Sequence, residues 1–351
     1  MKSKIIKEDG VTVGFKYDKH FKNQDYEIFF NTSSGFELLR GIDGKPDPFS
    51  LELPSLIDVG IMGHCKNRCP FCYQGNEYEP HMSLENFKRI IDETKHHVNQ
   101  VALGGRGDPN HHPNFHEIVE YARVNGVVPN YTTSGNLLTE DQIETSKMCG
   151  AVAVSNYVGP EMYSALNRFL DAGIKTNIHY LLTRNTFFDA TKILHGDNPW
   201  VSHVPKVVPF PLHKVNAVVF LLFKQKGRGE KLDWLPTDDQ LRIFAKAVAN
   251  SKDWNLKIKI GMDSCLVNHV VKHVDLPMTM AMAVDTCEGA RMSMYITPNM
   301  EATPCSFADK SMRISLEGTT IQDVWENGES FNKFRKTLTA CGYTCPAIME
   351  D

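Results

Sequence analysis

The sequence predicts an α/β protein with a parallel sheet, and two observations support this class. From residue 56 to about residue 222, short apolar runs alternate with longer segments of helical periodicity. Six βα units follow one another in this region, which favours a parallel sheet that is either curved as a partial barrel or doubly wound. In both architectures ligands bind at the carboxyl ends of the strands. The chemistry is therefore expected in the loops that follow the strands.

The predicted strands are short apolar runs, and the predicted helices fill the intervals after them. The strands are Leu56–Met62, Gln100–Leu103, Val127–Tyr131, Ala151–Ser155, Lys175–Leu182 and Asn216–Phe223. The helices are Ser83–Val98, Phe115–Asn125, Glu140–Met148, Pro160–Ala172, Phe187–Leu194 and Thr237–Asn250. Ser83 and Thr237 carry side-chain oxygens that can cap a helix N-terminus, and Pro160 suits a first turn.

The two ends of the chain differ from this repeating region. Tyr26–Asn31 and Phe36–Arg40 flank a Thr-Ser-Ser-Gly turn, so the N-terminal part is predicted to be β-rich with a hairpin. A further strand is predicted at Leu256–Gly261, after which the pattern changes to short strands and cysteines. Near the C-terminus, Ile321–Leu338 is predicted to form a turn followed by a helix.

The composition excludes several classes of protein. The chain has 351 residues and a formal net charge of −4, which argues against general nucleic-acid binding. It has no apolar run of about 18 residues, so no membrane-spanning helix is expected. The first residues lack the apolar core of a signal peptide, so a cytoplasmic location is expected. In a reducing compartment, nine cysteines indicate metal binding or catalysis rather than disulfides.

Three cysteines follow the first predicted strand directly. Cys65, Cys69 and Cys72 lie in a segment whose lysine, asparagine, arginine and proline favour a loop. Three thiolates at these spacings can hold a metal from one side and leave one coordination position open. A structural zinc ion needs four ligands, so a zinc site whose fourth ligand is His64 or a distant cysteine is the alternative.

The spacing Cys-x3-Cys-x-aromatic-Cys resembles the signature of the radical SAM superfamily. The resemblance implies that Cys65, Cys69 and Cys72 hold a 4Fe-4S cluster whose fourth iron binds S-adenosylmethionine. Reductive cleavage of that molecule then yields a 5′-deoxyadenosyl radical, which abstracts hydrogen. In such a site Phe71 and the backbone around Tyr73 are expected near the adenine.

The resemblance extends to the ends of the next three strands. It assigns S-adenosylmethionine contacts to Gly104, Gly105, Asp108, Ser134, Asn136 and Ser155. Asp108 stands where the family usually has glutamate, so its carboxylate has a shorter reach. Three residues on or after the fifth strand are candidates for binding the carboxylate of S-adenosylmethionine, and alternation alone does not rank them: Asn177, His179 and Arg184.

Four further cysteines lie in the C-terminal region. Cys287 and Cys305 flank a predicted hairpin, and Cys341 and Cys345 follow a predicted helix. Four thiolates also suit a structural zinc ion. Beside a radical SAM domain, however, the arrangement resembles the auxiliary-cluster domains called SPASM and Twitch. The full SPASM form has more cysteines, so the resemblance implies a Twitch-type domain with one auxiliary 4Fe-4S cluster. Full thiolate ligation favours a role in electron transfer.

These resemblances imply a fold in three parts. Residues 1–55 are an N-terminal β-rich extension, residues 56–255 form a partial (β/α)6 TIM-type barrel, and residues 256–351 form a small α+β auxiliary-cluster domain.

Two cysteines remain outside both groups. Cys149 ends a predicted helix and is expected to be a buried packing residue. Cys265 lies just after a strand, at the edge of the sheet where the chemistry is expected. It is either a core residue, a donor of a hydrogen atom to a substrate radical, or an extra cluster ligand. Asp263 is a candidate base or substrate-orienting group, or a capping residue of a loop. The basic run Lys224–Lys231 is most simply a solvated loop, although it is also able to attract a carboxylate or an acidic leader peptide.

The resemblance favours a peptide-modifying maturase of ribosomally made peptides. Epimerisation, crosslinking and backbone cleavage or excision are all compatible with it. The alternatives are a radical dehydrogenase of a sugar or cyclitol and a non-catalytic metal-binding scaffold. The expected partners are a peptide or protein substrate and an external electron donor of the flavodoxin or ferredoxin type. The N-terminal extension is too short and too β-rich for a leader-binding winged helix, so a separate leader-binding protein is a further expected partner.

Overall fold

The computed structural model describes residues 1–8, 11–156, 160–197, 199, 211–251, 258–281 and 283–341. Its strands are β1 Lys2–Glu8, β2 Val11–Tyr17, β3 Lys19–Lys22, β4 Tyr26–Phe30, β5 Glu37–Gly41, β6 Leu56–Met62, β7 Gln100–Gly105, β8 Val128–Thr133, β9 Val152–Ser155, β10 Thr176–Leu182, β11 Ala217–Leu222, β12 Lys259–Met262, β13 Ser293–Ile296, β14 Glu301–Thr303 and β15 Ile314–Ser315. Its helices are α1 Leu84–Thr94, α2 Phe115–Val124, α3 Glu140–Ser146, α4 Pro160–Asp171, α5 Phe187–Leu194, α6 Asp238–Asn250, α7 Ser264–His273, α8 Met278–Ala281, α9 Ile321–Asn327 and α10 Glu329–Cys341. In the parts of the chain that the structure describes, no helix is both long enough and apolar enough to cross a membrane.

The central sheet contains seven parallel strands, β6 to β12, which lie side by side in chain order. A doubly wound sheet reverses its strand order at a switch point within its series of βα units. The series β6 to β12 has no such reversal, and the order changes only where β13 joins the sheet beside β6. Its edge strands, β12 and β15, are not neighbours within the described residues, so the sheet is open. The expected α/β fold with a partial, unclosed barrel is therefore confirmed. The strands predicted between residues 56 and 223 all occur, and Leu56–Met62 has the predicted bounds.

The alternation of side chains along β6 separates the core from the concave face of the sheet. Ile57, Val59 and Ile61 are fully buried and pack in one apolar cluster with Phe87 and Ile91 of α1. The side chains between them point to the opposite face, because successive residues of a strand alternate. That opposite face ends at the loops in which the candidate site lies.

The C-terminal region continues the same sheet. β13 pairs in parallel with β6, and β14 and β15 extend the sheet by antiparallel pairing. Trp325 of α9 is buried and donates its indole N–H to the Leu51 carbonyl at 3.0 Å. The domain boundary near residue 256 stays a prediction, and the hydrogen bonding of the sheet crosses it at both β12 and β13.

Within Ile321–Leu338 the predicted helix occurs as α10, but the predicted turn before it is wrong, because α9 occupies that position. Gly328 separates α9 from α10, and its N–H closes α9 on the Val324 carbonyl at 2.9 Å. A Cβ at this position would lie 2.4 Å from the same carbonyl oxygen, so the turn requires glycine.

The N-terminal extension contains the hairpin β1–β2 and the three-stranded sheet β3–β4–β5. The predicted hairpin of β4 and β5 is confirmed. Glu27 of β4 is 3% exposed and accepts hydrogen bonds from Lys4, His20 and Arg40. Burial raises the pKa of Glu27, but the hydrogen bonds from these three groups outweigh it and lower the pKa to about 2.

We expect Glu27→Gln to lower the free energy of unfolding by about 2 kcal/mol at pH 7, because it removes a buried carboxylate that holds three donors. The pKa of Glu27 is lower in the folded protein than in the unfolded chain. Its stabilisation is therefore present above the ordinary carboxyl pKa and is lost as the pH falls towards 2. Urea unfolding at several pH values measures this difference. The control is Asp25→Asn in the exposed pair with Lys45, which should change stability by less than about 0.5 kcal/mol. An equal effect of both variants at pH 7 would contradict the prediction.

Candidate active site

The loop after β6 carries the three clustered cysteines at the carboxyl edge of the sheet. All three thiols are partly exposed. Burial raises the pKa of Cys65, and the charges of Asp108, Cys69 and Cys72 add to the effect. The thiol is therefore disfavoured as a free thiolate, and a bound metal would supply the compensating charge. Among the described residues, no three Cys, His, Asp or Glu side chains converge on one ion position. The set fits a 4Fe-4S cluster, in which each thiolate binds a different iron.

His64, the alternative ligand of a zinc site, is engaged elsewhere. Its ring stacks on Tyr78 and on His81, with centroid distances of 4.2 Å in each case. The stack lies on the segment that leaves the cysteine loop. The position of His64 therefore favours a packing role over metal binding.

The glycine-rich turn after β7 approaches the cysteine loop closely. Gly105 has φ +106°, and a Cβ there would lie 2.3 Å from the Met62 carbonyl oxygen. A Cβ on Gly107 would lie 2.8 Å from the His64 carbonyl oxygen and 3.5 Å from the Cys65 Cβ. Both close approaches require glycine. A Cβ on Gly104, in contrast, would meet no atom within 4 Å, so its backbone borders open space in which a ligand would fit.

Hydrogen bonds join the ends of β7 and β8 to the cysteine loop. Asp108 accepts from the Ser134 N–H at 3.0 Å and from its hydroxyl at 2.5 Å. Asn67, between the first two cysteines, donates to the Ser134 hydroxyl at 3.1 Å. Asn136 donates to the Asn67 side-chain oxygen at 3.2 Å. The structure thus brings together three predicted contacts of S-adenosylmethionine, Asp108, Ser134 and Asn136. Asn67 joins the same hydrogen-bonded group, and the spacing of the cysteines did not predict this.

The two aromatic residues of the cysteine motif point to different neighbours. Phe71 lies near Trp234, with a centroid distance of 6.1 Å, in the loop that follows β11. Tyr73 lies against Phe307, with a centroid distance of 4.6 Å. Burial raises the pKa of Tyr73 to about 12, so its hydroxyl stays protonated near neutral pH.

A second group of polar side chains lies on the neighbouring strands. It contains Ser155 at the end of β9 and His179 within β10. Ser155 lies beside His179 in register, and a hydrogen bond of 3.2 Å joins His179 to the Thr132 hydroxyl. Burial lowers the pKa of His179 to about 4, so the imidazole is neutral near pH 7. Of the three carboxylate-binding candidates, Arg184 is paired with Asp233 at 2.5 Å.

The third carboxylate-binding candidate, Asn177, accepts a hydrogen bond from the Asn216 amide at 2.7 Å. His179 is therefore the candidate that lies next to predicted site residues, although it would act as a neutral hydrogen-bonding group.

Cys265 lies in the first turn of α7, beside a partly buried ion pair. Asp263 caps this helix by accepting from the Leu266 N–H at 2.8 Å, and its other oxygen lies 2.8 Å from Lys224 Nζ. Lys224 also hydrogen-bonds Cys265. Burial lowers the pKa of Lys224, but the charges of Asp263 and Cys265 outweigh it and the net pKa is raised. Asp263 is thus a capping residue that also places a cation beside the thiol.

The remaining single cysteine has a structural explanation. Cys149 is buried in the main apolar cluster, which confirms the predicted packing role. Burial raises the pKa of its thiol to about 12.

The C-terminal cysteines are described only in part. Cys287 is buried, Cys305 is partly exposed, and Cys345 lies outside the described residues. The segment that carries Cys287 and the segment that carries Cys305 lie close together at Gly289, because a Cβ there would lie 3.3 Å from the Cys305 Cβ. Arg335 of α10 donates to the Ala290 carbonyl at 2.6 Å, which anchors the helix that ends at Cys341 to the same segments.

The prediction that residues 224–231 form a solvated loop is correct for the exposed Gln225, Glu230 and Lys231 but wrong for two of its cations. Lys224 belongs to the ion pair with Asp263, and Arg228 packs on the cysteine loop. The physical reason is that each cation has acceptors far along the chain. Lys224 pairs with Asp263, and Arg228 donates to the carbonyl of Cys69 in the cysteine loop. The Gly-Arg-Gly sequence around Arg228 was the available signal, because two glycines allow a close backbone approach.

Comparisons with known proteins agree with this geometry. Residues 59–158 match the sequence model of the radical SAM superfamily. The matched segment, which holds the three clustered cysteines, is therefore a radical SAM domain. The PqqA peptide cyclase of Rhodopseudomonas palustris is 23% identical over 306 residues, which cover 81% of this chain and 77% of the relative.

Two solved structures share the fold of this chain. SuiB of Streptococcus suis bound to S-adenosylmethionine has a TM-score of 0.65 at 14% identity, over 84% of this chain and 72% of SuiB. Native anSMEcpe with bound AdoMet has a TM-score of 0.57 at 14% identity, over 81% of this chain and 83% of that protein. Within this superfamily, the cysteine loop of the present chain is expected to carry a 4Fe-4S cluster and to bind S-adenosylmethionine.

We expect Ser134→Ala to weaken binding of S-adenosylmethionine about tenfold, because it removes the hydroxyl that links Asp108 to Asn67. Equilibrium dialysis of the anaerobically reconstituted protein with labelled S-adenosylmethionine measures the change. The matched control is Ser164→Ala on the exposed face of α4, which should bind as the wild type does. Unchanged affinity in Ser134→Ala would remove this residue from the site.

Proposed function

We propose that this radical SAM enzyme modifies a peptide. The observation that carries the proposal is the match to the PqqA peptide cyclase, which extends over 81% of the chain and thus well beyond residues 59–158. SuiB, which shares the fold, has been solved bound to the precursor peptide SuiA. The substrate is accordingly a ribosomally made peptide, and the modification is an epimerisation, a crosslink or a cleavage of the backbone.

The three clustered cysteines are the proposed ligands of the cluster that binds S-adenosylmethionine. Cys65, Cys69 and Cys72 would hold the 4Fe-4S cluster. With S-adenosylmethionine bound, this cluster supplies a 5′-deoxyadenosyl radical that abstracts a hydrogen atom from the peptide. An external donor of the flavodoxin or ferredoxin type provides the electron.

The strand ends around the cysteine loop would bind the other parts of S-adenosylmethionine. Gly104, with open space beside its backbone, would lie against the methionine moiety, and Asp108 would accept from its ammonium. Ser134 and Asn136 complete this polar group. Phe71 and Tyr73 would border the adenine, and Ser155 would contact the ribose or the carboxylate.

Cys265 is the proposed donor of a hydrogen atom to the peptide radical, and its S–H bond would break as the C–H bond of the peptide forms. The thiyl radical left on Cys265 would be returned to the thiol by one electron from the proposed second cluster and one proton from solvent. Cys265 lies at the carboxyl edge of the sheet, at the start of the helix that follows β12. Lys224 and Asp263 hold the first turn of α7 and keep a hydrogen-bonding cation at the thiol. These contacts hold in place the first turn of α7, which carries the thiol.

A second 4Fe-4S cluster is proposed for the C-terminal region, with Cys287, Cys305, Cys341 and Cys345 as ligands. The adjacency of the first two cysteine segments, and the anchoring of α10 to them through Arg335, support this set. With all four ligands supplied by thiolates, this cluster would transfer electrons rather than bind the substrate. We also place the enzyme in the cytoplasm, where its thiols stay reduced, and expect a separate leader-binding protein.

The reaction is tested by anaerobic reconstitution with S-adenosylmethionine, a reductant and the short peptides encoded beside the gene. We expect 5′-deoxyadenosine together with a peptide that is altered in mass, or in stereochemistry after hydrolysis. Absence of 5′-deoxyadenosine would contradict the radical reaction. Formation of 5′-deoxyadenosine with a sugar or cyclitol, and with none of the peptides, would contradict the peptide substrate.

The same assay tests whether Cys265 donates a hydrogen atom to the peptide radical. If Cys265 donates hydrogen, Cys265→Ala retains 5′-deoxyadenosine formation but loses the modified peptide. Cys149→Ala, which removes a thiol from the core, is the matched control and should retain both products. Unchanged modified peptide from Cys265→Ala would exclude the proposed role.

Iron analysis tests the second cluster. We expect about eight iron atoms per reconstituted chain, and about four in the double variant Cys287→Ser and Cys305→Ser. The control variant Cys149→Ser should keep the wild-type value. About four iron atoms in the wild type would contradict the second cluster, and one zinc ion beside them would favour a structural zinc site.

A further inference from the structure

The loop after β11 returns to the cysteine loop and holds its backbone through one arginine. The guanidinium of Arg228 donates to the Cys69 carbonyl at 2.8 Å, to the Gly75 carbonyl at 2.8 Å and to the Asn67 carbonyl at 3.4 Å. Its own backbone N–H donates to the Cys72 carbonyl at 2.9 Å. One side chain therefore spans the cysteine loop from before its second cysteine to beyond its third.

The neighbouring glycines make this contact possible. Gly227 has φ +59°, and a Cβ there would lie 2.3 Å from the Tyr73 carbonyl oxygen and 2.6 Å from the Gly75 nitrogen. A Cβ on Gly229 would lie 3.0 Å from the ring of Phe223. The backbone of the loop is thus in contact with the residues just after Cys72, and a larger residue at either position would displace Arg228.

The partners of Arg228 are uncharged. Besides the carbonyl oxygens, its guanidinium donates to the Asn76 side-chain oxygen at 3.4 Å. Within the described residues, no carboxylate forms an ion pair with it, whereas Arg106, on the other side of the loop, is paired with Glu77 and Glu79. Its positive charge is therefore spread over dipoles of the cysteine loop and is not neutralised by an anion in contact with it.

We infer that Arg228 is a positioning residue that sets the geometry of the cysteine loop and raises the reduction potential of the cluster held there. The inference rests on the proposed function only in that Cys65, Cys69 and Cys72 hold a 4Fe-4S cluster. One electron passes from the external flavodoxin or ferredoxin donor to the cluster, which becomes more negative by one charge. A fixed cation beside the loop stabilises that reduced form. The planar guanidinium also orders several carbonyls at once, which the single ammonium of lysine does not do.

The test uses Arg228→Gln and Arg228→Lys in the full-length, anaerobically reconstituted protein. The measurements are iron per chain, the electron paramagnetic resonance spectrum after reduction, and a redox titration. The signal of this cluster is recognised because addition of S-adenosylmethionine changes it. Lys231→Gln removes an exposed charge from the same loop and is the matched control.

We expect Arg228→Gln to shift the potential to more negative values and to change the spectrum, while Lys231→Gln matches the wild type in both. Arg228→Lys keeps the charge, so its potential should lie closer to that of the wild type, with a changed spectrum. Wild-type potential and spectrum in Arg228→Gln would overturn the inference. If Arg228→Gln binds no cluster, the test rests on the spectrum of Arg228→Lys. A spectrum that differs from that of the wild type supports the positioning role of Arg228, and an identical spectrum overturns it. A wild-type protein whose signal does not respond to S-adenosylmethionine would instead contradict the proposed function.

Discussion

The cysteine loop depends on close backbone contacts that side chains would prevent. On one side, Gly105 and Gly107 bring the turn after β7 against the ends of β6 and of the loop, and a Cβ at either position would overlap a carbonyl oxygen. On the other side, Gly227 brings the loop after β11 to Tyr73 and Gly75. A three-cysteine loop has little apolar surface to bury, so its conformation must come from its neighbours. Three glycines permit that contact, and the polar side chains beside them complete it.

These contacts explain why residues from separate strand ends form one site. Asp108, Ser134, Asn67 and Asn136 are linked by hydrogen bonds that cross from the turn after β7, through the end of β8, to the cysteine loop. Parallel strands in chain order place these ends side by side. A displacement of one strand end would therefore alter the positions of the cysteines as well as the proposed contacts to S-adenosylmethionine.

Much of this arrangement is predictable from the sequence because its signals are local. The apolar periodicity predicts β6 to β11, since each strand and helix buries one face of its own segment. The Cys65–Cys72 spacing and the glycine-rich turn at Gly104 are likewise recognisable within a few residues. The role of Arg228 was not predicted. Its flanking glycines indicate a close backbone approach, but its acceptors are carbonyl groups more than 150 residues away, and the sequence does not identify them. The pairing of β13 with β6 depends in the same way on a distant partner.

The C-terminal region is coupled to the cysteine loop through the sheet and through an aromatic contact. β13 pairs with β6, the strand that leads directly into the loop, so the two cysteine-bearing regions share one rigid support. Tyr73 follows Cys72, Phe307 lies two residues after Cys305, and their rings lie 4.6 Å apart between centroids. Lys224 lies over the same Phe307 ring at 4.8 Å, which connects this contact to Asp263 and the first turn of α7. The segment that carries Cys305 therefore packs against both the cysteine loop and the neighbours of Cys265. In the proposed reaction, the second cluster would thus lie on a segment that contacts the loop of the first cluster and Lys224, the neighbour of the proposed hydrogen-atom donor.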